Sequence, residues 1–164
     1  MSILHIEILM YNPFFLSKII HSFLTGYKKE VDLKTIFYVL PIIMYKDSRD
    51  RLNNARTDST LYSLFSKEII MKEYNTKLNS KFTLNHVAEL FQDYIEPTKQ
   101  SIIILANQKN IRFQSSIVLL EDFEYNKIAP SIREYFKSAY YLGQIFSKIE
   151  VSEFESFLEI RTKA

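Results

Sequence analysis

The residues of this chain that could do chemistry are three histidines, 19 carboxylates and 21 lysines and arginines. Their spacing argues against most catalytic roles. His5, His21 and His86 are far apart and fall in no H-E-x-x-H or H-x-E motif. Each reads as a helix-surface or half-buried imidazole rather than a zinc ligand or general base. Asp32-Leu33-Lys34 has the D-x-K spacing of a metal-dependent nuclease, but Asp32 also suits the simpler role of a helix N-cap. Glu121, Asp122 and Glu124 cluster ahead of Lys127, after a predicted strand, where such a run solvates a turn. Two glycines cannot build a G-x-x-x-x-G-K-[ST] or G-x-G-x-x-G phosphate loop, and no G-x-S-x-G elbow is present. The absence of cysteine excludes a disulfide framework, a zinc ribbon, a thiol nucleophile and an iron–sulfur cluster, and fits a reducing, cytoplasmic setting. No catalytic residue, cofactor site or metal site is expected.

What remains is suited to binding. The segment 46–59 interleaves Lys46, Arg49, Arg51 and Arg56 with Asp47, Asp50 and Asp58, either as a solvated loop with local ion pairs or as a docking surface. Thirteen Phe and eleven Tyr point either to aromatic groups at an interface or to a large core whose Tyr hydroxyls reach water. Residues 1–82 carry 12 basic and 8 acidic groups, residues 83–164 carry 9 and 11, a polarity too mild for a chain that binds nucleic acid by charge alone.

These residues must be positioned by a mainly α fold. The length, 164 residues, and the 47% hydrophobic content suit one domain over 1–164 with a real core. Asn12-Pro13 starts a helix over 13–25, with Leu16, Ile19, Ile20, Phe23 and Tyr27 at helical spacing and Gly26 placed for a left-handed cap. Asp32 caps a second helix running to Tyr45, which Pro41 kinks or splits; the apolar run 36–40 belongs at the centre of the core. Ser48 starts at most a turn of helix in the polar connection, and Asp58 or Ser59 caps a helix burying Leu61, Leu64 and Phe65. Ile69, Ile70, Tyr74 and Leu78 continue that helical spacing. Thr83 caps a helix through Tyr94, and Pro97 opens another through Ala106, although 101–106 could equally be a strand. Residues 111–121 alternate as a strand or small hairpin, and the few glycines disfavour tight turns. The order helix, helix, strand pair over 83–120 is that of a winged helix, which would offer Lys99, Gln100, Lys109 and Arg112 to a nucleic acid. Pro130 opens a long helix in which Gly143, unfavourable there, marks the close approach of another backbone. Ser152 and Glu155 form a capping box for a final helix. The N-terminus MSILHIEILM, with His5 and Glu7 in its apolar run, is a poor signal peptide, and the longest uncharged stretch, 35–45, is too short to span a membrane.

Asn12-Pro13, Gly26-Tyr27, Val39-Leu40-Pro41, Arg49-Asp50-Arg51-Leu52 and, near the end, Tyr141-Leu142-Gly143-Gln144-Ile145-Phe146 occur in this order. The series resembles the middle component of ABC three-component systems, bacterial conflict operons related to Lamassu. Family members show an N-P-A helix ending in G-Y, an L-P-L-V-L-H run, a T-R-x-x-L segment and an R-L-G-R-W-F helix. Phe14, Ile42 and Ser48 depart from that pattern, and residues 80–96 are longer than usual. The resemblance implies a non-catalytic adaptor between an SMC-like ABC ATPase and an effector, often a nuclease, with DNA contact only within the complex. The expected protein interface, drawn from these motifs and the charged segment, is Tyr38, Tyr45, Lys46, Arg49, Arg51 and Arg56; an Arg49→Glu change is expected to weaken assembly without unfolding. The rival reading is a small winged-helix DNA-binding regulator.

Overall fold

The computed structural model describes residues 9–71 and 76–158; His5, Glu7 and Tyr74 lie outside them. The fold is mainly helical, with two antiparallel hairpins.

Helix α1, Pro13–Tyr27, starts as expected: the Asn12 carboxamide oxygen accepts from the Phe14 and Phe15 amides at 2.9 and 3.2 Å, and Pro13 needs no partner at the first position. Its end differs from expectation. Lys28, not Gly26, takes the left-handed cap (φ 63°), and Gly26 stays inside the helix. The reason is α8, Arg133–Phe146, which packs along α1. A Cβ on Gly26 would overlap the Tyr140 carbonyl, and one on Gly143 would overlap the Phe23 carbonyl and sit 2.8 Å from the Tyr27 amide. Gly143 therefore marks a close backbone approach, as its sequence position implied. The Ser22 hydroxyl donates to the Phe136 carbonyl at 2.6 Å, so contact residues rise together along both helices and the two run parallel.

The segment predicted as one helix over 32–45 is two: α2, Leu33–Ile36, capped by Asp32, and α3, Val39–Ile43. The break falls at Phe37 because Pro41 has no N–H for the carbonyl four residues back. Ile36, Val39, Leu40, Ile42 and Ile43 are all fully buried. What was read as a polar loop is α4, Lys46–Asn53, which buries Ser48, Arg49 and Leu52. Helix α5, Leu61–Phe65, is capped by Thr60 in a reciprocal box with Ser63, not by Asp58 or Ser59.

The helical spacing read over 69–78 gives way to a hairpin, β1 Glu68–Met71 and β2 Thr76–Asn79, paired Glu68 with Asn79 through Met71 with Thr76. Four-residue strands are too short for periodicity to separate from a helix. Ser80 closes its base: its amide donates to the Lys67 carbonyl, and its hydroxyl accepts from the Lys67 amide. Thr83 does not cap a helix; it bonds back to the Ser80 carbonyl within a 3-10 turn, Ser80–Leu84, that Asn79 caps. Helices α6, Val87–Asp93, and α7, Ile95–Asn107, follow, so 101–106 is helical. The hairpin β3 Ile111–Phe113 and β4 Ile117–Leu119 is present, turned by three residues without glycine, and Ile117 also pairs with Val31. The order helix, helix, hairpin therefore holds across this region. Finally α9, Val151–Phe157, has no side-chain cap: Ser152 lies inside the helix and Glu155 faces the core.

Candidate interaction surface

Helix α4 carries three of the residues chosen from sequence as a docking surface, and two of those three act inside the fold. The last carbonyls of α3 lack intrahelical partners. Ser48 donates its hydroxyl to the Ile42 carbonyl at 2.5 Å, and Arg49 donates Nη1 to the Ile43 carbonyl at 3.0 Å. Arg49 is 7% exposed; its guanidinium lies 4.2 Å from the Tyr135 ring centre, with Nε 3.7 Å from the Glu134 carboxylate. Arg51 reaches the other way and donates Nε and Nη2 to the Leu64 carbonyl at 3.2 and 2.5 Å, where the Ser80 hydroxyl also donates. A cation at each of these helix C-termini also meets a favourable dipole. Helix α4 is thus a brace that closes α3 on one side and α5 with the first hairpin on the other.

Tyr38 is also a core residue. Its hydroxyl donates to Glu155 at 2.9 Å, Lys34 meets the other carboxylate oxygen at 2.8 Å, and its ring packs on Phe91 and Phe154. Burial first, then the hydrogen bond to Glu155 and its charge, push the phenol pKa far above its usual value. Tyr38 and Arg49, both expected at a protein interface, are thus buried in the isolated chain, each bonded to an acceptor within the fold.

The remaining residues of the set, half-buried Tyr45 and exposed Lys46 and Arg56, reach the surface. Lys46 is exposed and pairs with Asp50 at 2.6 Å one turn on. Tyr45 packs tilted against His86, ring centres 4.6 Å apart, and His86 meets Glu89 at 3.1 Å. Arg56 opens onto a cleft of about 480 Å³ with Asn54, Asp58, Ser59, Ser63 and Lys67. The residues expected to meet a nucleic acid, Lys99, Gln100, Lys109 and Arg112, are all exposed, on α7, the turn after it and strand β3. Lys99 pairs with Glu96 at 3.1 Å.

Sequence reasoning missed which apolar groups the fold leaves outside: Tyr11, Phe14, Tyr62, Ile103, Phe113 and Leu120 are each roughly half exposed or more. Ile103 projects from α7, and Phe113 and Leu120 belong to the β3–β4 hairpin. Helical spacing could have flagged Ile103, which with the half-buried Ile104 falls off the buried stripe Thr98, Ser101, Ile102, Leu105. Buried His21, in contrast, matches its expected bland role. Its Nε2 faces the Glu121 carbonyl at 2.6 Å and must carry the proton, since a carbonyl only accepts. Burial lowers its pKa, outweighing the opposing pull of Glu121 and Asp122. Asp32 is the N-cap expected of it.

Among the described residues no group of three or more His, Asp or Glu side chains is arranged to hold a metal, and no helix is long and apolar enough to cross a membrane. A family model described as ABC-three component (ABC-3C) system Middle Component 3 matches residues 1–162. No curated protein matches the chain, and no solved structure does.

Proposed function

Because the chain belongs to the Middle Component 3 family of ABC-three component systems, we propose that it is a non-catalytic adaptor linking an SMC-like ABC ATPase to an effector, a nuclease by family resemblance, in a cytoplasmic anti-phage or anti-plasmid complex. A middle component has partner proteins by the nature of such a system. The observation that carries the adaptor reading is the set of large apolar side chains left outside a closed core, above all Ile103, Phe113 and Leu120 on α7 and its hairpin. Interfaces centre on such groups. In addition, the pairing of β4 with both β3 and Val31 leaves β3 as an edge.

The test is co-expression of the tagged chain with its two genomic neighbours, with mass read by chromatography and light scattering. A stable complex containing an ATPase of the SMC type is the expected result; a monomer that ignores both neighbours overturns the reading. A second reading, DNA contact made within the complex, is favoured by the exposure of Lys99, Gln100, Lys109 and Arg112 on neighbouring elements. It predicts that the assembled complex loses DNA affinity on Lys109→Ala plus Arg112→Ala, with a shallower salt dependence. An unchanged salt slope would refute that contact.

A further inference from the structure

The carboxylates at 121–124 have no part in the function proposed so far, yet they border a built cleft. We propose that this cleft, about 450 Å³ between the 122–127 segment and α8, receives an arginine side chain from a partner protein; the identity of that partner rests on the adaptor reading above.

Three tyrosines form its aromatic wall. The Tyr125 and Tyr140 ring centres are 5.4 Å apart, and those of Tyr140 and Tyr141 are 5.5 Å apart. All three are half-buried, so their bodies are held while faces remain open. The opposite wall is pinned: the Phe123 amide donates to the Thr25 hydroxyl at 2.9 Å, and His21 holds the Glu121 carbonyl. Asp122 lines the cleft and has no ion-pair partner among the described residues, whereas the local cations are engaged. Lys127 pairs with Glu124 at 2.6 Å, and Arg133 donates Nε and Nη2 to the Ile128 carbonyl at 3.1 and 2.8 Å. A site of π faces with one unneutralised carboxylate asks for a cation. A guanidinium suits it better than an ammonium, because it stacks flat on tyrosine and can donate two parallel hydrogen bonds to a carboxylate.

The test titrates the full chain with acetyl-Gly-Arg-Gly-amide, and with the same peptide carrying neutral citrulline, while NMR follows the tyrosine ring protons. Saturable shifts confined to Tyr125, Tyr140 and Tyr141, seen with arginine and not citrulline, and weakened about threefold or more by Asp122→Asn, are the expected result. Equal shifts with citrulline, no saturable shift, or an unaffected D122N protein would overturn the proposal. In the co-purified complex Asp122→Lys is expected to cut assembly at least tenfold with an unchanged melting temperature. Assembly of wild type and D122K alike would overturn the cleft and leave the adaptor reading standing. If the wild-type chain assembles with nothing, the adaptor reading fails, and the peptide titration still decides the cleft.

Discussion

Replacing Arg49 by glutamate would put a carboxylate beside Glu134 and against the Tyr135 ring, and would strip the Ile43 carbonyl of its donor. Glu134 is half exposed, so the cost lies chiefly in an orphaned buried carbonyl and an unpaired carboxylate in the core, together about 3 kcal/mol or more. Thermal denaturation by circular dichroism should therefore show R49E melting on the order of 10 °C lower, so the variant reports on folding before it can report on assembly. His21 makes a prediction about pH. Burial lowers its folded pKa below 6.5, so between those two values the unfolded chain binds the proton and the folded chain does not. The stability held by the neutral ring is complete above about pH 6.5 and is lost as pH falls through that window. His21→Gln, which keeps a donor for the Glu121 carbonyl, should flatten the fall in urea midpoint between pH 7 and 5; an identical pH slope in wild type and variant would exclude His21 as its source.

At the scale of elements the parallel pair α1 and α8 depends on two missing methyl groups. Glycine to alanine inside a helix normally stabilises by about 1 kcal/mol. Here Gly26→Ala and Gly143→Ala should each reverse that sign and destabilise by about 3 kcal/mol or more, because the new Cβ meets backbone that cannot rotate away. Urea denaturation of either variant checks it. That crossing was legible in sequence, since an unfavourable glycine in a strong helical pattern needs a reason, and so was the Asn12-Pro13 start. The first hairpin was not legible: apolar residues at 69, 70, 74 and 78 fit helical spacing, and nothing local marks the Ser80 contacts that close the strands. Helix α4 was missed because it is charged almost throughout, with Leu52 its one large apolar residue. Its stability comes from polar side chains satisfying carbonyls that Pro41-broken and short helices leave open, a tertiary complementarity that hydrophobic patterning does not record. For the same reason the motif and the charged segment that pointed to Arg49 carried no sign that it is buried.

For the molecule as a whole, the exposed apolar groups on α7 and the second hairpin should make the isolated chain self-associate. Phe113→Ser combined with Leu120→Ser should shift sedimentation toward monomer while the melting temperature stays within about 2 °C, since neither side chain is buried. A lower melting point with unchanged association would place those residues in the core's service instead. The pairing of α1 with α8 has a further consequence for how the chain is made. Tyr27 is synthesised roughly a hundred residues before Arg133. At typical bacterial elongation rates α1 waits about 5–20 s for the helix that covers it. Until α8 arrives, α7 and α3 cover only part of α1, so the nascent chain is a natural client for a ribosome-bound chaperone, and slowing translation between codons 27 and 146 should lower the yield of folded protein.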